Sequence, residues 1–141
     1  MTHEEIVALI DRRADAFARR DVAALTGMHA PTGVVESPIA GGSVTGPAAI
    51  AHLYEVLFKA FPDATLTTEE LVIDGDRAAQ VATLTGTDSG GFLGLPASGK
   101  PFRVPMLILI TVRDQQIVAE RRIYDFTGLL IQIGVLKAQP A

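Results

Sequence analysis

The sequence predicts an α+β protein in which helices pack on one face of an antiparallel sheet. Three observations point there. Apolar residues recur at helical spacing as far as Phe61, the period changes to two from Ala64 onward, and the later segments are joined by hairpin signals, Asp74-Gly75 foremost. Helices first and hairpin-linked strands afterwards is the α+β order. At 141 residues the chain makes one core, so a single domain over 1–141 is expected.

Thr2 with Glu5 three residues later forms a capping box, and Ile6, Leu9, Ile10, Ala14 and Phe17 then mark one helical face up to about Arg20. Asp21 is placed to cap a short second helix carrying Val22, Leu25 and Met28, which Pro31-Thr32-Gly33 ends. His29 is expected at the end of that helix, as a partner for its dipole. A brief strand, Val34 to Ser37, precedes a Gly41-Gly42-Ser43 loop. Pro47 then occupies the first position of a third helix, whose Ile50, Leu53, Tyr54, Leu57, Phe58 and Phe61 share a face and off whose apolar side His52 falls.

Strands are predicted over Ala64–Ile73, Arg77–Thr87, Phe102–Val112 and Gln116–Phe126, with a long loop Asp88 to Pro101 in the middle and a short closing helix from Gly128 to Leu136. Asp125, just ahead of that helix, suits its N-cap. In the loop, Gly94 to Lys100 nearly spells a phosphate-binding motif, but Pro101 stands where Ser or Thr should be and a strand follows instead of a helix, so phosphate binding is rejected. The loop reads better as a flap, with glycines for bending and Phe92, Leu93 and Leu95 as an apolar lid.

Composition removes several function classes. The net charge is −4 and the twelve Lys and Arg are scattered, which argues against nucleic acid. With no cysteine there is no disulfide, thiolate metal site or cysteine nucleophile, and His3, His29 and His52 lack metal-ligand spacing. No metal or cofactor is expected. The longest apolar run, Met106 to Ile110, is far below the roughly 20 residues that span a bilayer, and the amino terminus has no basic leader region, so no membrane partner and a cytoplasmic location are expected. Val104 to Ile110 is apolar at both parities, although a one-faced sheet alternates. A homodimer burying the outer face of the sheet would account for it.

Three stretches resemble the SnoaL-like proteins, of polyketide-cyclase type, in the nuclear-transport-factor-two-like superfamily. They are Thr45-Gly46-Pro47 with its helix down to Phe61-Pro62-Asp63, the segment Gly86 to Pro101 with Gly90-Gly91-Phe92-Leu93-Gly94-Leu95-Pro96, and Ile123-Tyr124-Asp125-Phe126 followed by Gly128 to Gly134. The resemblance implies a cone-shaped α+β barrel, usually dimeric, in which a strongly curved antiparallel sheet wraps the N-terminal helices around a deep pocket for an apolar small molecule. It also implies that aldol cyclases carry an aspartate where this chain has Arg122 and a histidine where it has Ile108. A guanidinium cannot accept a proton at working pH and isoleucine cannot polarise an enolate, so that mechanism is not expected. Against the ketosteroid-isomerase pattern, Ser37 follows Glu36 where the basic aspartate would stand, and Leu107 replaces the oxyanion-binding acid.

Strand parity puts Val118, Glu120, Arg122, Tyr124 and Phe126 on one face of the last strand, and the resemblance turns that face to the pocket. A charged Arg122 inside needs a partner, Glu120 or Glu36. The candidate catalytic residues are therefore Glu120, Arg122 and Glu36, the carboxylates as proton carriers; the alternatives for Glu120 and Arg122 are a structural or ligand-orienting ion pair, or a solvent-facing one. The candidate substrate-binding residues are Tyr124, Tyr54, Phe17, Phe58, Phe92, Met106 and Ile108. Two readings stay open: an enzyme of isomerase, cyclase or hydratase type acting on an oxygen-bearing apolar molecule by cofactor-independent acid/base chemistry, and a non-catalytic ligand-binding or dimerisation module.

Overall fold

The computed structural model describes residues 1–137. Helix α1 (His3–Ala18) starts at the predicted capping box, with Thr2 and Glu5 bonding each other's backbone N–H. It buries Ile6, Leu9, Ile10, Ala16 and Phe17; Ala14, predicted on that face, is exposed, and Arg13 occupies the stripe in its place. Asp21 caps α2 (Val22–Gly27) by accepting from the Ala24 amide at 3.0 Å. Strand β1 (His29–Ser37) begins five residues earlier than predicted and takes His29 out of the helix end. A 3₁₀ turn over Pro38–Ala40 leads to β2 (Gly42–Thr45), a short strand in the expected loop.

Helix α3 (Pro47–Ala60) carries Pro47 in its first turn. Strands β3 (Thr65–Asp74), β4 (Arg77–Thr87), β5 (Pro101–Arg113) and β6 (Gln116–Tyr124) form the predicted meander, and α4 (Phe126–Gln132) closes the described chain, capped by Asp125 accepting from the Gly128 amide at 2.8 Å. Gly75, at φ +60, makes the β3–β4 hairpin turn, a conformation that L side chains rarely adopt.

The strands form one curved, open sheet in the order β2-β1-β6-β5-β4-β3. The expectation of an antiparallel sheet needs one correction, because β1 lies parallel to β6, Val35 beside Glu120 and Glu36 beside Arg121. The other pairings are antiparallel. Along β5 the even positions from Phe102 to Val112 are buried under the helices, while Leu107 and Leu109 are half-buried on the outer face. A shift of register between Thr111 and Val112 lets Ile117 turn inward, so Val118 does not share the inner face of Glu120 as strict parity predicts.

The β4–β5 loop is fastened at its base. The Asp88 carboxylate accepts from the amides of Gly91 (3.2 Å) and Ser98 (3.0 Å), and the Gly90 amide donates to the Ala60 carbonyl at 3.0 Å. A Cβ at Gly90 would stand 1.7 Å from the Lys59 carbonyl oxygen, so only glycine lets the loop lie on the end of α3.

Candidate active site

Inside the curve of the sheet, helices α1 and α3 leave a small cavity of about 40 Å³. Its polar wall is Arg13 from α1, Ser37 from β1, Tyr54 from α3, and Arg122 and Tyr124 from β6; Phe17, Leu53, Met106 and Ile108 contribute apolar wall. The volume holds a few atoms, well below the roughly 150 Å³ that admits a benzene ring. Ile39 and Leu53 line this cavity and also a larger outer groove of about 670 Å³, bounded by α3, the β1–β2 connection and the flap residues Leu93 and Leu95.

Behind the cavity wall sits a buried charge cluster. Glu120, 0% exposed at its side chain, accepts from Arg13 Nη2 at 2.9 Å and from Arg122 Nε. Arg13 also donates to Gln80 Oε1 at 3.2 Å, and Gln80 donates to Thr68 Oγ1 at 2.6 Å. The Arg122 guanidinium lies 4.7 Å from the Tyr54 ring centre, a cation–π contact. Burial alone would raise the Glu120 pKa, but Arg122 and Arg13 outweigh it and hold it down at about 2. Burial works against the charge on the two guanidiniums, and Glu120 overcomes it, so both stay charged. An ionised carboxylate this acidic and this fully paired is too weak a base and too poor a donor for proton transfer near neutral pH. Of the readings of Glu120, proton carrier, partner in a buried ion pair or solvent-facing group, this geometry fits the second: it holds Arg13 and Arg122.

The remaining predicted residues separate into those that meet at the cavity and those that do not. Tyr124 lines it, and burial raises its phenol pKa, opposed by the Ser37 hydroxyl and by Arg122. Tyr54, Phe17, Met106 and Ile108 line it too. Phe58 does not; it packs edge-on against Phe17, ring centres 5.0 Å apart, and beside Tyr54. Phe92 is no lid, because its ring is tucked inward 5.1 Å from Phe61, leaving Leu93 and Leu95 exposed at the groove. Glu36 is on the outer face, its carboxylate 2.9 Å from Arg121 Nε, since its parity on β1 is opposite to that of the buried Val35 and Ser37.

The polar residues Arg13, Gln80 and Ser37 of the site are not among those the sequence points to. Arg13 had a legible signal, since it occupies the step of the α1 apolar stripe between Ile10 and Phe17. His29, expected at a helix end, is instead a buried residue of β1, 5% exposed, whose ring nitrogens both lack a partner. Burial lowers its pKa to about 4, with Glu120 opposing and Arg13 and Arg122 assisting. Among the described residues no three His, Asp or Glu side chains gather as a metal site, and no helix is long and apolar enough to cross a membrane.

A curved α+β sheet folded over helices around an inner cavity defines the nuclear-transport-factor-two-like, or ketosteroid-isomerase-like, class. Within it the chain belongs to the SnoaL-like polyketide cyclase family, whose model matches residues 8–133. Similar solved structures include AclR from Streptomyces galilaeus, a proposed hydroxylase (26% identity, TM-score 0.85, covering 99% of this chain and 87% of that one). Another is a proposed SnoaL-like polyketide cyclase from Jannaschia sp. CCS1 (27%, 0.82, 97% and 94%). A third is IdmH, a proposed polyketide cyclase from Streptomyces antibioticus (30%, 0.77, 91% and 97%). No protein with a curated function matches the chain.

Proposed function

We propose that this protein binds an oxygen-bearing, apolar small molecule of polyketide type and promotes its enolisation or ring closure without a cofactor, by stabilising the negative charge that develops on oxygen. The observation that carries this reading is the Arg122 guanidinium, clamped by Glu120, lying over the Tyr54 ring and set in a cavity wall that Tyr124 shares. Donors held in place in a water-poor cavity stabilise an oxyanion without reorganising as it forms. Tyr124, kept neutral by burial, donates its proton to the substrate oxygen while the proton on the adjacent carbon leaves to solvent water, which returns one to the phenolate. The body of the molecule rests in the outer groove. The molecule works in the cytoplasm as a homodimer joined through the outer sheet face, where Leu107 and Leu109 are half-buried and Ile123 is 44% exposed.

The second reading, a binding module without chemistry, draws on the lining of the cavity, which among the described residues includes no carboxylate or histidine to act as a base. The enolisation of 1-phenylbutane-1,3-dione, followed by ultraviolet absorbance, separates the two. Acceleration by the wild type that falls to background in Arg122→Met supports catalysis; saturable binding with no acceleration supports the module.

A further inference from the structure

The charge cluster behind the cavity does not balance. Arg13 and Arg122 supply two positive charges and Glu120 one negative, with side chains 7%, 9% and 0% exposed. His29, with its pKa near 4, adds none at neutral pH. Glu36 is spent on Arg121 outside the sheet. Among the described residues, no second carboxylate lines the cavity or bonds to the cluster. One buried positive charge is left without a counterion, an arrangement that a folded protein avoids unless something binds there.

The unused hydrogen-bonding capacity converges on the same place. Arg122 Nη2, Arg13 Nε, Ser37 Oγ and Tyr54 Oη are buried, none makes a well-formed hydrogen bond, and all four residues line the cavity; the nearest polar neighbours of the two hydroxyls, Arg13 for Tyr54 and Tyr124 for Ser37, interact with them only loosely. Buried donors are paired in nearly all native structures, so four without a well-formed bond around a single cavity describe a missing acceptor. A neutral carbonyl oxygen would accept hydrogen bonds but leave the charge uncompensated. A monoanionic group satisfies both.

We propose that the natural ligand is an anion with an apolar body: a carboxylate, or an oxygen acid already ionised at neutral pH, seats its charged oxygen on Arg122, Ser37 and Tyr54. The 40 Å³ cavity takes only this head. The body passes Ile39 and Leu53, the two residues shared by both spaces, into the outer groove beneath Leu93 and Leu95. Lys59 at the groove is a secondary source of positive potential. This rests on the proposed function's assignment of the cavity as the binding site and refines the role of Arg122, which anchors an oxygen that is already charged when the ligand binds instead of one that becomes charged during reaction.

The test is a matched pair of probes, 4-phenylbutyrate and its uncharged amide 4-phenylbutyramide, titrated calorimetrically into the wild type, Arg122→Met and Tyr54→Phe. Arg122→Met keeps the Arg13–Glu120 pair and makes the cluster neutral, so it is expected to fold; Tyr54→Phe removes only a hydroxyl that makes no well-formed hydrogen bond and serves if it does not. The expected result is at least tenfold tighter binding of the carboxylate than of the amide to the wild type. That preference disappears in Arg122→Met and shrinks severalfold in Tyr54→Phe. Equal binding of both probes overturns the anion proposal while leaving the cavity reading standing. Failure of both probes to bind overturns the cavity reading and the anion proposal with it. A carboxylate preference that survives in the variants places the anion elsewhere, on Lys59, and also overturns it.

Discussion

Replacing Glu120 by Gln puts the buried cluster under direct test. The carboxylate is fully enclosed and receives Arg13 Nη2 at 2.9 Å on one oxygen and Arg122 Nε on the other. Glutamine keeps the shape but leaves two guanidiniums with no anion between them. The depression of the Glu120 pKa from 4.5 to about 2, at about 1.4 kcal/mol per pKa unit, corresponds to about 3 kcal/mol in favour of the charged form. Removing one partner of a buried ion pair costs about 3–5 kcal/mol in measured cases, so the two routes agree. For a domain of this size the loss is a large part of a total stability of about 5–15 kcal/mol, and it lowers the melting temperature by about 10–15 °C. Urea denaturation at pH 7 is the assay, with the midpoint falling and the slope unchanged. A variant within about 1 kcal/mol of the wild type would refute the reasoning. Because the folded pKa is depressed, this stabilisation is complete above pH 4.5 and fades as the pH falls towards 2; in Glu120→Gln that acid limb is absent.

His29 sets an earlier acid limb. Its folded pKa of about 4 against 6.5 means that stability is full above pH 6.5 and declines by about 3 kcal/mol as the pH drops to 4. His29→Leu should flatten the pH dependence of the urea midpoint across that window, and an unchanged profile would show that His29 titrates normally. Ser37→Ala removes a buried hydroxyl that makes no well-formed hydrogen bond and interacts only loosely with Tyr124, so the stability of the ligand-free protein should stay within about 1 kcal/mol of the wild type; a larger fall would reveal a full hydrogen bond in the native state. Gly90→Ala forces a methyl into the Lys59 carbonyl, and hydrogen exchange should show the flap amides losing protection before the sheet does. Protection equal to the wild type would mean that the flap base is not held there. Leu107→Lys on the outer face should shift light-scattering mass from dimer to monomer, and a wild type already monomeric at micromolar concentration would remove the dimer.

Much of the fold was legible because its signals are local. The Thr2 and Asp21 caps, Pro47 at a helix start and the Asp74-Gly75 turn each act through neighbours in sequence. The inward set Glu120, Arg122 and Tyr124 followed from parity once the direction of the strand was taken from the family resemblance. What failed depended on distant contacts. Parity on β1 cannot say which side of Glu36 faces the helices, and only pairing with Arg121 decides it. β2 reads as a loop because Gly42 and Ser43 have little strand propensity, and β1 supplies its ladder. Phe92 reads as a lid from its place in a glycine-rich loop, whereas the apolar space beside Phe61 draws its ring inward. Arg13 was passed over as the charged residue in an apolar stripe, although that misfit was itself the sign of a buried partner.

The most direct test of a ligand site headed by Arg122 is a nuclear magnetic resonance titration of the arginine Nε–H signals with 4-phenylbutyrate. Clamped by Glu120 and buried, the Arg122 Nε–H should give a resolved, slowly exchanging resonance that is missing in Arg122→Met. The account predicts that this resonance moves saturably with the probe while those of the exposed Arg19 and Arg121 stay in place. A probe that binds without moving the Arg122 resonance would contradict it.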